Sequence, residues 1–221
     1  MEIMKNAGVE TAKVQLSKNN KFLLVERFNY DKKNDSYLGF EEVLVLLGKN
    51  KDEKYNGSYE QIAKVIYAVT TNKTDSMRDL FQMIVINYLL KNGDAHLKNF
   101  GVIYDAEQKS IELAPAYDIV NTTPYFHKDK PALTMFGKKV WFGKKELIKF
   151  GCEYCYLDKK NASKLYNKCF KSLIQGINDM KIYIVKTPSF ENIGNKMLDS
   201  WNLSLNEETI KEIPHEIRRN W

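Results

Sequence analysis

The clearest pattern of apolar and polar positions lies at residues 75–90, where apolar side chains recur at every third or fourth position. So broad an apolar face is typical of a helix buried at the centre of a domain. Asp75 or Ser76 is expected to cap its start. The polar residues 91–93 end the pattern, which puts residues 94–99 in a loop held by a buried helix, where catalytic groups are often carried. The apolar members are Met77, Leu80, Phe81, Ile84, Val85, Tyr88 and Leu89.

The remaining patterns predict an α+β fold that is mainly helical. Apolar and β-branched runs at 12–16 and 22–28 flank a polar turn, so a short β-hairpin is expected near the N-terminus, after a helical segment that ends at Gly8. A second hairpin joins strands at 100–104 and 110–113, and it returns the chain toward the loop at 94–99. Further helices are predicted near 40–47, 60–70, 145–150, 161–178 and 191–201.

Composition narrows the class of protein. The chain has 221 residues, of which 43% are hydrophobic and 28% charged, so it can bury one good core. No run approaches ~20 apolar residues and the charged start lacks the apolar run of a secretory signal, so we expect a cytoplasmic protein without a membrane partner. The three cysteines are too few for a disulfide framework. Cys152 and Cys155 have CxxC spacing, which leaves zinc or redox chemistry open beside ordinary reduced thiols.

The net charge of +6 is concentrated in one segment, residues 128–160, which holds nine lysines and four acidic residues. Such a segment can present a surface to an acidic protein, RNA or DNA. A solvated lysine-rich face is the simpler interpretation, because the arginine and aromatic pattern of nucleic-acid readers is absent from this sequence segment.

The strongest candidate chemistry lies at residues 92–100, NGDAHLKNF, and at 116–118, AYD. Asp94 and Asn99 are five residues apart, and Asp118 follows nineteen further on. A carboxylate near a substrate hydroxyl, with oxygen ligands for Mg²⁺, is what phosphoryl transfer requires. Asp94 suits the first role, Asn99 and Asp118 the second; Lys98 can neutralise phosphoryl charge and His96 can orient the loop.

Other interpretations of these motifs stay open. Aspartate and asparagine are common in turns because they hydrogen-bond locally, so the spacing of Asp94 and Asn99 is weak evidence by itself. A lipid or small-molecule kinase also uses Asp and Asn in a loop of this kind. The combination of buried helix, loop, hairpin and Tyr117-Asp118 in that order favours a kinase-type site.

The sequence resembles the C-terminal catalytic part of HipA-like serine/threonine kinases, the toxins of bacterial toxin-antitoxin modules. Residues 92–100 resemble the family's catalytic loop and residues 113–120, LAPAYDIV, its metal-binding segment. Three further stretches fit the family pattern: 25–28 (VERF), 54–59 (KYNGSY) and 132–138 (ALTMFGK).

The resemblance implies roles for individual residues. Asp94 would be the catalytic base, Lys98 a stabiliser of the transferred phosphoryl group, and Asn99 and Asp118 the Mg²⁺ ligands. The segment 25–28 corresponds to the hinge strand, so the backbones of Glu26 and Phe28 would hydrogen-bond the adenine of ATP.

The resemblance also implies partners and a domain division. Family members phosphorylate serine in themselves and in protein targets, notably aminoacyl-tRNA synthetases, and usually have a DNA-binding antitoxin partner. Any contact of this chain with DNA would be indirect or through the basic segment 128–160. Residues 1–30 would be a remnant of the small lobe and hinge, and residues 31–221 the helical catalytic lobe.

The N-terminal side departs from the family pattern. Only about twenty residues precede the hinge-like strand, which leaves no room for the glycine-rich loop and ATP-binding lysine of such kinases. We therefore expect the chain alone to bind nucleotide weakly or not at all, and to be slow or inactive. A misplaced start, a disrupted gene, a short form completed by another polypeptide, and a noncatalytic module that binds an antitoxin or a target all remain open.

Overall fold

A computed structural model describes residues 1–212 of the chain, with seven α-helices and seven β-strands in that range. The helices are α1 Glu2–Asn6, α2 Val43–Leu46, α3 Tyr59–Val69, α4 Lys73–Leu89, α5 Lys144–Tyr154, α6 Lys159–Lys186 and α7 Glu191–Glu212. The strands are β1 Val14–Leu16, β2 Leu23–Val25, β3 Tyr30–Asp31, β4 Ser36–Tyr37, β5 Gly39–Glu42, β6 Gly101–Tyr104 and β7 Ile111–Leu113. The α+β, mainly helical fold class is thereby confirmed.

Helix α4 forms the centre of the core, as the apolar periodicity predicts. Twelve of its seventeen residues are buried, and it packs against α1, α3 and α6. The predicted caps are wrong: Asn72 caps the helix, because its side-chain Oδ1 accepts the Asp75 amide at 3.2 Å. The helix therefore begins before Asp75, and Ser76 lies inside it as a buried residue.

The strands form three small antiparallel sheets, β1-β2, β3-β4 and β5-β6-β7. Both predicted hairpins are present, although each of their strands is shorter than the apolar run that predicted it. The short hairpin β3-β4 was not predicted.

The helix predicted over 40–47 is wrong in its first half. Residues Gly39–Glu42 pair with β6 instead, and only Val43–Leu46 is helical. The pairing is close, since a Cβ on Gly101 would lie 2.6 Å from the Glu41 carbonyl oxygen. This contact is made about sixty residues along the chain, so local periodicity does not reveal it.

The N-terminal segment packs into the helical core. Met4 and Ala7 are fully buried, and the Gln82 side chain of α4 donates from Nε2 to the Ala7 carbonyl at 2.6 Å. The backbone of Ala116 then exchanges hydrogen bonds with Glu10 and Ala12, at 2.8 and 2.9 Å. The start of the chain thus fixes the backbone two residues before Asp118, while the division at residue 30 stays a prediction.

The remaining helices match the predicted positions. Helix α5 extends past the predicted residue 150 to Tyr154, and α6 extends past 178 to Lys186. Cys152 lies in α5 and Cys155 directly follows it; these two and Cys169 are free thiols. No helix within residues 1–212 is long and apolar enough to cross a membrane.

The position of the α4 cap gives a stability test. Replacing Asn72 with Ala removes the acceptor for the Asp75 amide and should lower the free energy of unfolding by about 1 kcal/mol. Ser76→Ala is the matched control and should change it by less than half as much, because Ser76 lies inside the helix, where Ala is well tolerated. Chemical denaturation followed by circular dichroism measures both; a larger loss for Ser76→Ala would contradict the assignment.

Candidate active site

The loop that follows α4 is fixed to the end of that helix by buried side chains. Helix α4 ends in a Schellman arrangement, in which the Asn92 amide donates to the Asn87 carbonyl at 2.9 Å and Lys91 has a positive φ of 55°. The buried Asn92 side chain donates to Asn87 Oδ1 at 2.7 Å and accepts the Asp94 amide at 3.1 Å. The backbone of Asp94 is therefore held rigidly against the core.

Asp94 presents its carboxylate at the surface of the loop. Its side chain is 43% exposed, so a substrate can reach it. Tyr55 lies in the segment just before α3, and its hydroxyl donates a hydrogen bond to Asp94 Oδ1 at 2.6 Å. This hydrogen bond orients the carboxylate and leaves its second oxygen available as an acceptor.

Asn99 and Asp118 meet across the loop and the β6-β7 hairpin. Asn99 Nδ2 donates to Asp118 Oδ2 at 2.7 Å, and Asn99 Oδ1 accepts the His96 amide at 2.8 Å. Asp118 has a φ of 55°, a left-handed conformation that aspartate tolerates better than most residues. The contact expected from the returning hairpin is present.

The Asn99 and Asp118 pair fits a hard divalent cation. Mg²⁺ takes oxygen ligands and usually binds through one or two protein groups, with water and substrate phosphates completing its shell. Asp118 Oδ1 has no hydrogen-bond partner among the described residues, and Asn99 Oδ1 retains a lone pair after accepting the His96 amide. Residues 1–212 contain no cluster of three His, Cys, Asp or Glu side chains that would hold a metal by themselves.

His96 is buried behind the candidate base. Its side chain is 7% exposed, its Nε2 lies 3.9 Å from Asp94 Oδ1, and its ring packs edge-on against the Tyr55 ring. Burial lowers the pKa of His96, and the negative charge of Asp94 only partly opposes this shift. The neutral imidazole suits an orienting role better than that of a cation.

Two lysines flank the site, and only one was singled out from the sequence. Lys98 directs its ammonium to Glu42, with Nζ 3.7 Å from Oε1, and the Tyr117 hydroxyl binds its carbonyl. Lys54 places its ammonium over the Tyr55 ring, 4.7 Å from the centroid. The Tyr55 hydroxyl raises the pKa of Lys54, and the charges of Asp94 and Asp118 raise it further.

The hinge-like residues Glu26 and Phe28 connect to the segment that carries Asp118. Phe28 stacks on Tyr117 with ring centroids 5.5 Å apart and packs edge-on against Phe40. The Glu26 amide donates to the Lys13 carbonyl at 2.9 Å, and its carboxylate pairs with Lys32 at 2.7 Å. Within residues 1–212, the Glu26 carbonyl and the Phe28 amide have no backbone partner outside the strands.

Sequence reasoning missed Tyr55 and Lys54 as members of the site. Both belong to the family-like stretch at 54–59, which gave neither residue a role. Tyr55 precedes Asp94 by 39 residues, so no local spacing connects them. The tertiary link is a backbone hydrogen bond from the Leu97 amide to the Lys54 carbonyl at 3.2 Å, which docks the stretch on the loop.

The fold is that of the C-terminal lobe of a protein-kinase-like protein, and the Asp, Asn and Asp side chains are the candidate site residues within it. The model of the HipA-like C-terminal domain family matches residues 1–177, and the chain belongs to this family. Curated relatives include two proteins named "Putative kinase". One, from Haemophilus influenzae, is 33% identical over 140 residues, and Y4dM from Sinorhizobium fredii is 31% identical over 117 residues.

Those matches cover 57% and 52% of this chain but only 40% and 27% of the two relatives.

Two solved structures share the fold. The HipA, HipB and operator DNA complex of the Shewanella oneidensis MR-1 toxin antitoxin system aligns with a TM-score of 0.73 at 17% identity, over 93% of this chain and 54% of that one. The Helicobacter pylori proinflammatory kinase CtkA aligns with a TM-score of 0.60 at 14% identity, over 93% and 77%.

The buried histidine predicts a pH dependence of stability. Because folding lowers the pKa of His96 below its ordinary 6.5, the unfolded chain binds more protons between the two values. The stabilising contribution of neutral His96 is therefore complete above pH 6.5 and is lost as the pH falls through the lowered folded-state pKa. The free energy of unfolding of the variant His96→Gln should fall less at acid pH than that of the parent chain. Urea unfolding at several pH values measures this difference.

His127, which is more exposed, provides the control for that test. The variant His127→Gln should show the same decrease in the free energy of unfolding at acid pH as the parent chain. A folded-state pKa of His96 above 6.5 in an NMR titration would contradict the assignment.

Proposed function

We propose that this chain carries the phosphoryl-transfer site of a HipA-like serine/threonine protein kinase, which moves the γ-phosphoryl group of ATP to a serine hydroxyl. The observation that carries the proposal is the 2.7 Å hydrogen bond between Asn99 and Asp118. It joins the segment after β7 to the loop that presents Asp94. Three oxygen-bearing groups from two distant segments converge there, and this is the arrangement that phosphoryl transfer needs.

Each residue has one role in the proposed reaction. Asp94 accepts a hydrogen bond from the serine hydroxyl and takes its proton as the oxygen attacks phosphorus. Asn99 and Asp118 hold the Mg²⁺, which when bound neutralises charge on the ATP phosphates. Tyr55 and His96 keep the Asp94 carboxylate oriented, since one donates to it and the other packs beside it.

The two lysines supply positive charge at different places. The Lys54 ammonium interacts with Asp94 and Asp118, so it limits the repulsion between these carboxylates before a cation binds. Lys98 is proposed to stabilise the transferred phosphoryl group, for which its ammonium must leave Glu42. The Lys98 side chain is 38% exposed, and exposed ion pairs of this kind are weak.

The adenine is proposed to bind the hinge-like segment. The Glu26 carbonyl would accept from the adenine amino group and the Phe28 amide would donate to a ring nitrogen. Their lack of backbone partners among the described residues supports this assignment. The stacking of Phe28 on Tyr117 would couple the adenine site to the Asp118 segment.

The biological setting is also part of the proposal. The HipA neighbour was solved with HipB and operator DNA as a toxin antitoxin system, which supports a toxin role for this chain. A location in the cytoplasm is part of the same proposal. Its substrate would be a protein serine, an aminoacyl-tRNA synthetase being one candidate, and its partner a DNA-binding antitoxin. Because the chain spans 40% or less of the two relatives described above, activity and partners of the whole protein belong to the same proposal.

Two aspartate variants separate binding from chemistry. Calorimetric titration with a nonhydrolysable ATP analogue and Mg²⁺ should show metal-dependent binding that Asp118→Ala weakens by ~10–100-fold or more, because a direct ligand is lost. Asp94→Asn should keep that binding and lower the slow transfer of phosphate from labelled ATP to protein serine, measured at high protein concentration, by ~10²–10⁴-fold.

Asp179→Ala is the matched control, because Asp179 lies on the exposed face of α6 and bonds only Gln175 among the described residues. This variant should behave like the parent chain in both assays. Folded parent protein that binds no nucleotide would contradict the proposal and favour the noncatalytic binding module. Equal transfer by Asp94→Asn would refute the assigned base.

A further inference from the structure

A second concave surface lies between the segment before α5 and the start of α6, outside the candidate active site. This surface, which we call the lysine-rimmed groove, has a volume of about 550 Å³. Its walls are the half-buried side chains of Phe136, Phe142, Ile148 and Cys152. A groove of this size accommodates one or two large side chains.

The walls of the groove are preformed. The Phe136 ring packs edge-on against Phe142 and Phe150, with centroids 5.9 and 6.4 Å apart, and in a tilted arrangement against Tyr154 at 6.1 Å. The Phe136 amide also donates to the partly buried Glu60 carboxylate of α3. Binding here would therefore require little ordering of the protein, which favours affinity.

The rim of the groove carries a strong excess of positive charge. Four lysines line it, Lys138, Lys145, Lys149 and Lys159, against one carboxylate, Glu146. The Lys149 ammonium lies 3.8 Å from the Glu153 carboxylate, whereas the other three lysines form no ion pair within the described residues. An apolar floor inside a rim with an excess of positive charge complements an apolar side chain flanked by carboxylates.

We propose that the lysine-rimmed groove binds an acidic peptide segment of a protein partner, with one large apolar side chain of that segment seated between Phe136 and Ile148. A protein ligand is favoured over nucleic acid because no arginine lines the groove. This gives the basic segment 128–160 a specific role.

The proposal goes beyond the phosphoryl-transfer function and does not depend on it. No residue of the candidate active site lines the groove. Binding to the groove can therefore be measured whether or not the chain is an active kinase.

The rate at which the Cys152 thiol is modified reports whether the groove is occupied. It is partly exposed, whereas Cys155 and Cys169 are 1% and 0% exposed, so Cys152 should be the thiol that N-ethylmaleimide modifies first in the folded chain. The probe is a synthetic octapeptide, Glu-Glu-Asp-Phe-Leu-Asp-Glu-Glu. At ~10 times its Kd the peptide should slow modification of Cys152 by ~10-fold, measured by mass spectrometry.

A charge-reversal pair tests the rim without disturbing the fold. Lys145→Glu with Lys159→Glu places carboxylates in the first turns of α5 and α6, where the helix dipole favours them. This double variant should lose the protection of Cys152. Lys18→Glu with Lys21→Glu makes the same change in net charge in the β1-β2 turn and should keep full protection.

Three further probes decide between occupants. The peptide Glu-Glu-Asp-Gly-Ser-Asp-Glu-Glu should protect Cys152 much less, because it lacks the apolar anchor. Equal protection by this peptide, or stronger protection by a single-stranded DNA oligonucleotide or by phosphatidylserine vesicles, would overturn the proposal. Unchanged Cys152 reactivity at millimolar concentration of the first peptide would overturn it as well.

Discussion

The hydrogen bond between the side chains of Asn92 and Asn87 fixes where the buried helix α4 stops and the candidate catalytic loop begins. Asn92 has no alternative partner in solvent, since it is 1% exposed, so breaking this bond would leave buried polar groups unsatisfied. The same side chain accepts the Asp94 amide. The position of the candidate base thus follows from the burial of one helix and from how that helix ends.

Asp118 is held by a separate set of contacts. The β6-β7 hairpin returns the chain toward the loop, the N-terminal segment pairs with Ala116, and Tyr117 packs against Phe28. The Asn99 amide then joins the two segments directly. A candidate metal-ligand pair assembled in this way would need little reorganisation on binding a cation, and preorganisation of this kind is a main source of catalytic power in phosphoryl transfer.

Most of the local structure could be predicted from the sequence. The apolar periodicity of α4 and the polar turns of the two hairpins are local signals, and the structure confirms the elements they predict. The misplaced features depend on distant partners. The local sequence of strand β5 predicts a helix, because the pairing of β5 with β6 is formed far along the chain. The cap at Asn72 lies just before the apolar pattern that identifies helix α4.

In the candidate site, too, some residues can be predicted from local sequence and others depend on tertiary contacts. Asp94, Asn99 and Asp118 were found because their order and spacing carry the chemistry, and the hairpin predicted that Asn99 and Asp118 would meet. Tyr55 was missed, since its hydroxyl reaches Asp94 only through tertiary packing. The roles of these residues, and of Lys98, Glu26 and Phe28, remain predictions that geometry alone does not test.

The most direct test of the account is a crystal structure of the chain with a nonhydrolysable ATP analogue and Mn²⁺, which replaces Mg²⁺ and gives an anomalous signal. We expect an anomalous peak at bonding distance, ~2.1 Å, from oxygens of Asn99 and Asp118, with the terminal phosphate facing Asp94 and the adenine at Glu26 and Phe28. A metal or nucleotide bound elsewhere, with neither Asn99 nor Asp118 in contact with it, would contradict the assignment of this site.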